Sequence, residues 1–257
     1  MGALSGPPAI AARDLRLDLD GLPVLGGVDL ELAPGELVAL VGPSGCGKST
    51  LLSVLAGLRE PDAGEVLLDG RPAPRRLGRL TLMPQSDALL PWRTVAENAA
   101  VGSRLRGASR AAARAEAGRT LARLGLAGFE DHYPHALSGG MRQRAALART
   151  LLGGAAAWLL DEPFGALDAL TRADLQGVLA AAWAERRPTC LLVTHDLDEA
   201  LLLADRVLVS RPRPARVTAE VAVDLPRPRT LADTARPQFA ALRGRLLGAL
   251  ELARALA

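Results

Sequence analysis

The only lysine in this 257-residue chain lies in a glycine-rich segment whose residue types suit phosphate binding, and every other basic residue is arginine. The segment reads Gly42-Pro43-Ser44-Gly45-Cys46-Gly47-Lys48-Ser49-Thr50. It matches G-x-x-x-x-G-K-[ST], in which backbone N–H groups cradle phosphates, the lysine reaches the β and γ phosphates and the next hydroxyl ligates magnesium. A compact ammonium suits that task, and an arginine fork does not replace it. The sequence therefore predicts a nucleotide-phosphate site.

The residues around this segment predict the elements that such a loop needs. An apolar run at 37–41 predicts a buried strand, and residues 49–56 predict a helix. A helix N-terminus directs N–H groups at phosphate oxygens, and glycines let the backbone approach closely. Strand, loop and helix together predict a P-loop nucleotide hydrolase.

Two carboxylates follow a second apolar run, at residues 158–160. Asp161 at the strand end is placed to hold the magnesium shell. Glu162 beside it is placed to activate the attacking water as a general base.

A second anion site is predicted where Ser138 caps a helix that begins with Gly139 and Gly140. One nucleotide does not use two such sites on a single chain unless they converge. We therefore expect this site to complete the nucleotide site of a second copy.

Composition limits the remaining classes. Hydrophobic residues make up 49% of the chain, no run approaches 18 apolar residues, and the start lacks a secretory pattern. Cys46 and Cys190 lack metal-ligand spacing, which favours free thiols in a reducing cytosol. The arginines between residues 104 and 123 suit nucleic-acid contact or a solvated helix face. The absence of aromatic residues there favours the solvated face.

The periodicity predicts an α/β protein. Residues 10–32 alternate like antiparallel strands around an Asp20-Gly21 turn, residues 94–152 are mostly helical, and strands return at 158–160, 189–193 and 207–209. We expect one cassette whose nucleotide-binding core comprises 10–84 and 156–225. A helical signature subdomain at 85–155 is inserted into this core, and a helical extension covers 226–257.

With these motifs in this order, the chain resembles the ATP-binding subunit of ABC transporters over nearly its whole length. The resemblance implies a RecA-like P-loop NTPase core with N-terminal antiparallel strands and an inserted helical subdomain. Residues 42–50 resemble the Walker A motif, and Asp161 and Glu162 resemble Walker B with the catalytic glutamate. The other matches are the Q-loop Gln85, the signature at 137–143 with Met141 in place of the usual Gln, the D-loop Ala166-Leu167-Asp168, and the switch His195.

The resemblance implies how the parts work together. Two cassettes, expected to be identical, sandwich two ATP between the Walker A loop of one and Ser138, Gly139, Gly140 and Gln143 of the other. Magnesium is held by Ser49, Asp161 and Gln85, while Lys48, Glu162 and His195 support hydrolysis. Closure of the two cassettes pulls on membrane permease subunits. These subunits are expected to bind at the surface near Gln85, which includes Trp92. A solute-binding protein is an indirect partner, and the cassette lies peripherally on the cytoplasmic face of the cell membrane.

One position departs from the family's pattern. The family stacks adenine on an aromatic residue of the N-terminal strand, and the matching residue is Leu19. No aromatic residue or histidine precedes Trp92. An aromatic stack on a base contributes about 1–3 kcal/mol, so the sequence predicts weak nucleotide affinity and poor discrimination between ATP and GTP.

Two further segments point to a branch of the family. Leu90-Pro91-Trp92 and Arg211-Pro212 resemble importer cassettes of the nitrate, sulfonate and taurine type. Residues 129–134 and 149–152 look closer to the branch that imports hydroxymethylpyrimidine, a thiamine precursor. The alternative is a soluble ABC ATPase that acts on nucleic acid or ribosomes. Such proteins carry a long coiled coil or tandem cassettes, and neither occurs here.

Overall fold

A computed structural model of the chain describes residues 9–165 and 167–255. Within these residues the strands are β1 (Ile10–Leu19), β2 (Leu22–Leu32), β3 (Leu37–Val41), β4 (Ala63–Leu68), β5 (Arg71–Pro72), β6 (Thr81–Met83), β7 (Ala157–Asp161), β8 (Thr189–Val193), β9 (Arg206–Ser210) and β10 (Val217–Ala222). The α-helices are α1 (Lys48–Leu55), α2 (Val95–Ala99), α3 (Val101–Leu105), α4 (Arg110–Arg123), α5 (Gly139–Leu151), α6 (Ala169–Arg186), α7 (Leu197–Leu203) and α8 (Pro237–Ala255). None of these helices is long and apolar enough to cross a membrane.

The chain divides into two compact units. Of the described residues, the first unit comprises 9–80, 156–162 and 187–255, and the second comprises 81–155, 163–165 and 167–186. The sequence-based boundary placed all of 156–225 in the nucleotide-binding core, whereas residues 163–186, with helix α6, belong to the second unit. Polar contacts explain the difference, because Gln143 bonds to the Pro163 carbonyl and Arg186 to the Leu151 carbonyl.

The first unit contains an antiparallel sheet with the strand order β2-β1-β4-β5. Strands β1 and β2 form a hairpin in which Leu19 lies opposite Leu22. Asp20 and Gly21 make the turn with φ angles of 51° and 78°, as the Asp-Gly pair predicts. The chain reverses direction at this turn and returns beside β1 as β2.

The second sheet of this unit has the strand order β10-β9-β3-β8-β7. Strand β3 runs parallel to both β8 and β9, and β7 runs parallel to β8. Every residue of β3, β7 and β8 is buried, which is why these strands read as continuous apolar runs. Strand β10 is antiparallel to β9, and the sequence analysis predicted no strand at these residues.

The second unit is built from β6 and helices α2 to α6. Helix α2 begins with a capping box between Thr94 and Glu97. Asn98 is fully buried, and its amide donates to the carbonyl oxygens of Leu90, Arg93 and Thr94. A buried amide needs such partners, and Asn98 thereby fixes the loop that carries Trp92.

Candidate nucleotide site

The predicted phosphate loop joins the end of β3 to the start of α1. Gly45 and Gly47 take φ angles of 72° and 115°, in the left-handed region that favours glycine. Gly47 is the N-cap of α1, and no side chain caps this helix. The first N–H groups of α1 therefore lack a side-chain acceptor and are directed at the space that an anion would fill.

Lys48 lies inside this loop. Its side chain is buried, and its ammonium donates to the carbonyl oxygens of Gly42 and Pro43, each at 2.8 Å. The Cys46 thiol lies 3.7 Å from the same nitrogen. The loop thus holds a positive charge at its centre, bound by neutral backbone oxygens that a phosphate group can replace.

Asp161, at the end of β7, supplies the matching negative charge. It forms a side-chain hydrogen bond with Ser49, and burial raises the pKa of its carboxyl group above the ordinary value. Within residues 9–165 and 167–255, its buried Oδ1 atom has no hydrogen-bond partner. An unpartnered buried carboxylate oxygen beside a hydroxyl suits a magnesium ion with its water shell. The residues present therefore fit the expected metal.

Glu162 follows directly with a φ of 47°, a left-handed conformation that non-glycine residues rarely adopt. Its N–H donates to the Val193 carbonyl, which binds this turn to the end of β8. The Glu162 carboxylate lies 3.3 Å from Nδ1 of His195, which follows β8 and is more than half exposed. The predicted base and the predicted switch histidine are therefore neighbours in the first unit.

The predicted signature lies in the second unit, at the start of α5. The Ser138 hydroxyl accepts a hydrogen bond from the N–H of Met141, as expected of an N-cap. Ser138 and Gly139 are exposed, and Gly140 is partly exposed. Gln143 was expected on the same surface, but it is buried and donates to the Pro163 carbonyl at 3.0 Å. Its side chain therefore joins α5 to the turn after Glu162.

Three expected site residues have other surroundings. Gln85 is exposed just after β6 in the second unit. Asp168 accepts from the N–H of Thr171, and that bond lowers the pKa of its carboxyl group. Leu19, which ends β1, is partly exposed. Ala166 of the predicted D-loop lies outside the described residues.

Sequence reasoning missed two arginines that position the segment after Gln85. Arg142 donates to the Asp87 carboxylate at 2.9 Å, and Arg149 donates to the backbone carbonyl of Asp87 at the same distance. Burial lowers the pKa of the Arg149 guanidinium. Both arginines lie on α5, so the signature helix holds the Q-loop segment within the second unit. Their spacing of seven residues, which places them on one helix face, was the available signal.

The fold and the site together define a P-loop nucleotide hydrolase. A phosphate loop follows a buried parallel strand, and a carboxylate pair ends another strand of the same sheet. Residues 25–165 match the ABC transporter family model. The chain belongs to this family, as the order of its motifs predicted.

Relatives and solved structures agree with this assignment. The chain is 45% identical over 230 residues to a taurine import ATP-binding protein of Chromobacterium violaceum, covering 88% of each. It is 44% identical over 245 residues to an aliphatic sulfonates import ATP-binding protein of Burkholderia cenocepacia, covering 95% of this chain and 88% of the relative. A dimeric ATP-binding cassette bound to ADP and Pi superposes with a TM-score of 0.77 at 29% identity, over 84% of this chain and 99% of that one.

These findings confirm three predictions: the ABC transporter family, the α/β P-loop fold and ATPase activity. The nucleotide is ATP. The alternative of a nucleic-acid or ribosome ATPase gains no support, since both relatives described above are named as import proteins.

Proposed function

We propose that this chain hydrolyses ATP to drive uptake of taurine or aliphatic sulfonates through separate membrane subunits. Two named import proteins of this substrate class support the proposal, each with more than 40% identity to the chain. The observation that carries the enzymatic part is the meeting of Glu162 with His195 in the unit that holds Lys48 and Asp161.

The phosphates of ATP bind at the N–H groups of the loop and of α1. Lys48 exchanges its two carbonyl partners for phosphate oxygens, which costs little because its ammonium already lies within the loop. Ser49 and Asp161 would hold magnesium. When bound, this ion neutralises phosphate charge.

Glu162 serves as the general base that accepts the proton of the attacking water. The left-handed backbone at Glu162 and the bond of its N–H to Val193 fix the direction of its carboxylate. His195 carries a hydrogen-bonding ring beside this carboxylate and is exposed enough to meet the γ-phosphate. Its loop is steadied by Asp196, whose side chain caps α7.

The exposed N-terminus of α5 binds the nucleotide of a second copy. Ser138, Gly139 and Gly140 present hydroxyl and N–H donors to that nucleotide, and Gln143 holds the helix from inside. Asp168 belongs to the same dimer surface. No carboxylate lies in the first turn of α5, so this end is positive and open to an anion.

A cleft of about 650 Å³ in the second unit suits the membrane subunit. Trp92 lies on its border with 71% of its surface exposed. Arginines 93, 104, 110 and 114 also line it, together with Glu97, which forms an ion pair with Arg110. An exposed tryptophan among arginines suits a partner helix with apolar and acidic side chains. Docking there places the cassette on the cytoplasmic face of the membrane.

Copurification with the permease tests the docking part of the proposal. Trp92→Ala is expected to lose the permease, while Leu105→Ala, which removes an exposed apolar side chain of the same unit, is expected to retain it. Retention of the permease by Trp92→Ala at wild-type level would contradict docking at this cleft.

The substrate is tested on the solute-binding protein that copurifies with the assembled complex. Thermal shift is measured with taurine, alkyl sulfonates, nitrate and hydroxymethylpyrimidine. The proposal expects stabilisation by taurine or a sulfonate. Stabilisation by hydroxymethylpyrimidine alone would assign the complex to thiamine-precursor uptake and leave the ATPase mechanism unchanged.

A further inference from the structure

The phosphate loop accounts for the phosphates of ATP but supplies no group for the base. Leu19, at the end of β1, offers only apolar contact, and the chain has no aromatic residue before Trp92. If the chain binds ATP as proposed above, any planar contact with the base has to come from another part of the first unit. The loop between β9 and β10 provides one.

Backbone contacts bind this loop, residues 211–216, to strand β2. The N–H of Ala215 donates to the Val24 carbonyl at 2.7 Å, and the N–H of Gly26 donates to the Ala215 carbonyl at 2.9 Å. A Cβ atom on Gly26 would lie 2.8 Å from Pro214 Cγ, so only glycine permits this approach. The position of the loop beside β2 is therefore set by the backbone.

The phosphate loop packs against the same two neighbours. A Cβ atom on Gly47 would lie 2.9 Å from the Val24 carbonyl oxygen and 3.2 Å from the Ala215 Cβ. Val24 lies close to the β1–β2 turn that Leu19 enters. The 211–216 loop and the β1–β2 hairpin therefore border the phosphate loop together.

Arg213 extends from this loop to the phosphate loop. Its Nη2 donates to the Gly45 carbonyl at 3.0 Å, and its side chain is exposed. A Cβ atom on Gly45 would meet no described atom within 4 Å, so the space beside this contact is open. The neighbouring Arg211 has a different task, because its Nε donates to the Pro214 carbonyl and closes the loop on itself.

The carbonyl contact also shows which part of a nucleotide Arg213 can meet. In a trans peptide the C=O and the following N–H point in opposite directions. The N–H of Cys46 donates to the Pro43 carbonyl, which Lys48 also binds inside the loop, so a donor on the Gly45 carbonyl lies on the opposite side. Lys48 already supplies the cation on the phosphate side. The exposed face of the guanidinium is left for a planar group.

We propose that Arg213 stacks its guanidinium on the purine base of the bound nucleotide and is a binding residue of this ATPase. The bond to Gly45 orients the guanidinium plane, and a planar cation attracts the face of an aromatic ring. Stacking does not read the exocyclic groups of the base. Arg213 therefore strengthens binding of ATP and GTP alike, and poor discrimination between them remains.

Equilibrium binding tests this proposal without relying on turnover. The full-length chain and its variants are titrated with a fluorescent ATP analogue, and ATP, GTP and inorganic tripolyphosphate are the competitors. Arg213→Ala is expected to weaken ATP and GTP about tenfold each, as for a lost stack on a base, and to leave tripolyphosphate unchanged. Arg216→Ala, an exposed arginine of the same loop, is the matched control and is expected to change none of the three.

Two further variants separate a stacking role from charge and from folding. Arg213→Trp keeps a planar surface and is expected to restore ATP affinity, whereas Arg213→Lys keeps the charge and is expected to behave like Arg213→Ala. If Arg213→Ala does not fold, Arg213→Gln replaces it in the same titrations. Melting temperatures without nucleotide show which variants are folded.

Unchanged ATP affinity in Arg213→Ala would overturn the proposal. An equal loss for tripolyphosphate would also overturn it, because that loss would mark a phosphate contact. A wild-type chain that binds neither ATP nor tripolyphosphate would instead refute the proposed ATPase function itself.

Discussion

Helices α1 and α5 both have glycine at their start, as the N-cap Gly47 of α1 and as Gly139, the first residue of α5. Neither has an acidic residue in the first turn, yet their N-termini differ. The start of α1 has no side-chain cap, and a buried lysine lies at its first position. The start of α5 is capped by Ser138 and is largely exposed. The N-terminus of α1 therefore offers an anion a buried positive charge, whereas the N-terminus of α5 offers exposed backbone N–H groups.

The difference extends to the neighbours of the two helix starts. Near α1, the first unit supplies Asp161, Glu162 and His195, which are the groups that hydrolysis needs. Near α5, Gln143 and Arg142 donate hydrogen bonds to backbone carbonyl oxygens of the second unit, so these side chains hold the fold together. We call the site at the start of α1, with Asp161, Glu162 and His195, the equipped site, and the N-terminus of α5 the bare site. A chain with one site of each kind suits a dimer in which the bare site of one copy completes the equipped site of the other.

The largest expected effect comes from removing the base. Glu162→Gln keeps the size of the side chain but cannot accept the proton of water, so ATP turnover is expected to fall by roughly 10²–10⁴-fold. Affinity for ATP is expected to remain. Steady-state phosphate release together with a binding titration checks both. Turnover within a factor of two of wild type would exclude Glu162 as the base.

Lys48→Ala removes the buried cation of the equipped site. Loss of one such electrostatic contact is expected to lower turnover by roughly 10²–10³-fold, and here nucleotide binding should weaken as well. Competition with a fluorescent ATP analogue separates this variant from Glu162→Gln, which still binds. Lys48→Ala with wild-type affinity and turnover would show that the ammonium has no such role.

Gly140→Asp disrupts the bare site, because it places a carboxylate where a phosphate of the partner's nucleotide should lie. Like charges across an interface cost several kcal/mol, so turnover of the dimer is expected to fall about 10²-fold while ATP still binds the isolated chain. Ser138→Ala is the milder variant for comparison. It loses the cap, about 1 kcal/mol, together with one hydroxyl contact to the nucleotide, so it is expected to melt about 2–4 °C lower and to lose less turnover than Gly140→Asp. If Gly140→Asp hydrolyses ATP normally, α5 does not meet a nucleotide.

The smallest expected effect is a change in stability with pH. Burial raises the pKa of Asp161, so without nucleotide and magnesium its charge at neutral pH destabilises the fold. Asp161→Asn is then expected to melt higher than wild type near pH 7. The native state holds the Asp161 proton more tightly than the unfolded state. The difference should therefore shrink as the pH falls through the raised pKa towards 3.8, the ordinary value.

Asp168→Asn is the control with the opposite sign. Hydrogen bonds from Thr171 lower the pKa of Asp168, so its charge stabilises the fold at neutral pH. This variant is expected to melt lower than wild type near pH 7, and the difference should vanish in acid. Melting curves across pH check both variants. An Asp161→Asn protein that melts lower than wild type near pH 7 would contradict the account of the buried carboxylate.

Local pattern was enough to predict the strands that carry the site and the phosphate loop between them. Strands β3 and β8 are continuous apolar runs because both of their faces are covered. The spacing of the loop glycines before Lys48 is specific to a phosphate loop. The same reasoning could not give the environment of Gln143. Its burial depends on the Pro163 carbonyl, 20 residues away in the chain, and only tertiary packing brings the two together.

Strand β10 and Arg213 were missed for a similar reason. Prolines and arginines at residues 211–216 indicated a loop. The short strand that follows them buries only Val221, and its other residues are exposed or partly buried, so its apolar signal is weak. The contact of Arg213 with Gly45 spans 168 residues. Contacts between such distant residues depend on strand order, which local sequence does not encode.

The most direct test of the central claim is sedimentation of the Glu162→Gln protein with and without ATP. If the bare site of one copy completes the equipped site of another, this protein sediments as a monomer alone and as a dimer with ATP. Adding Gly140→Asp to the same chain should abolish the dimer while ATP still binds. A Glu162→Gln protein that binds ATP and remains a monomer would contradict the account.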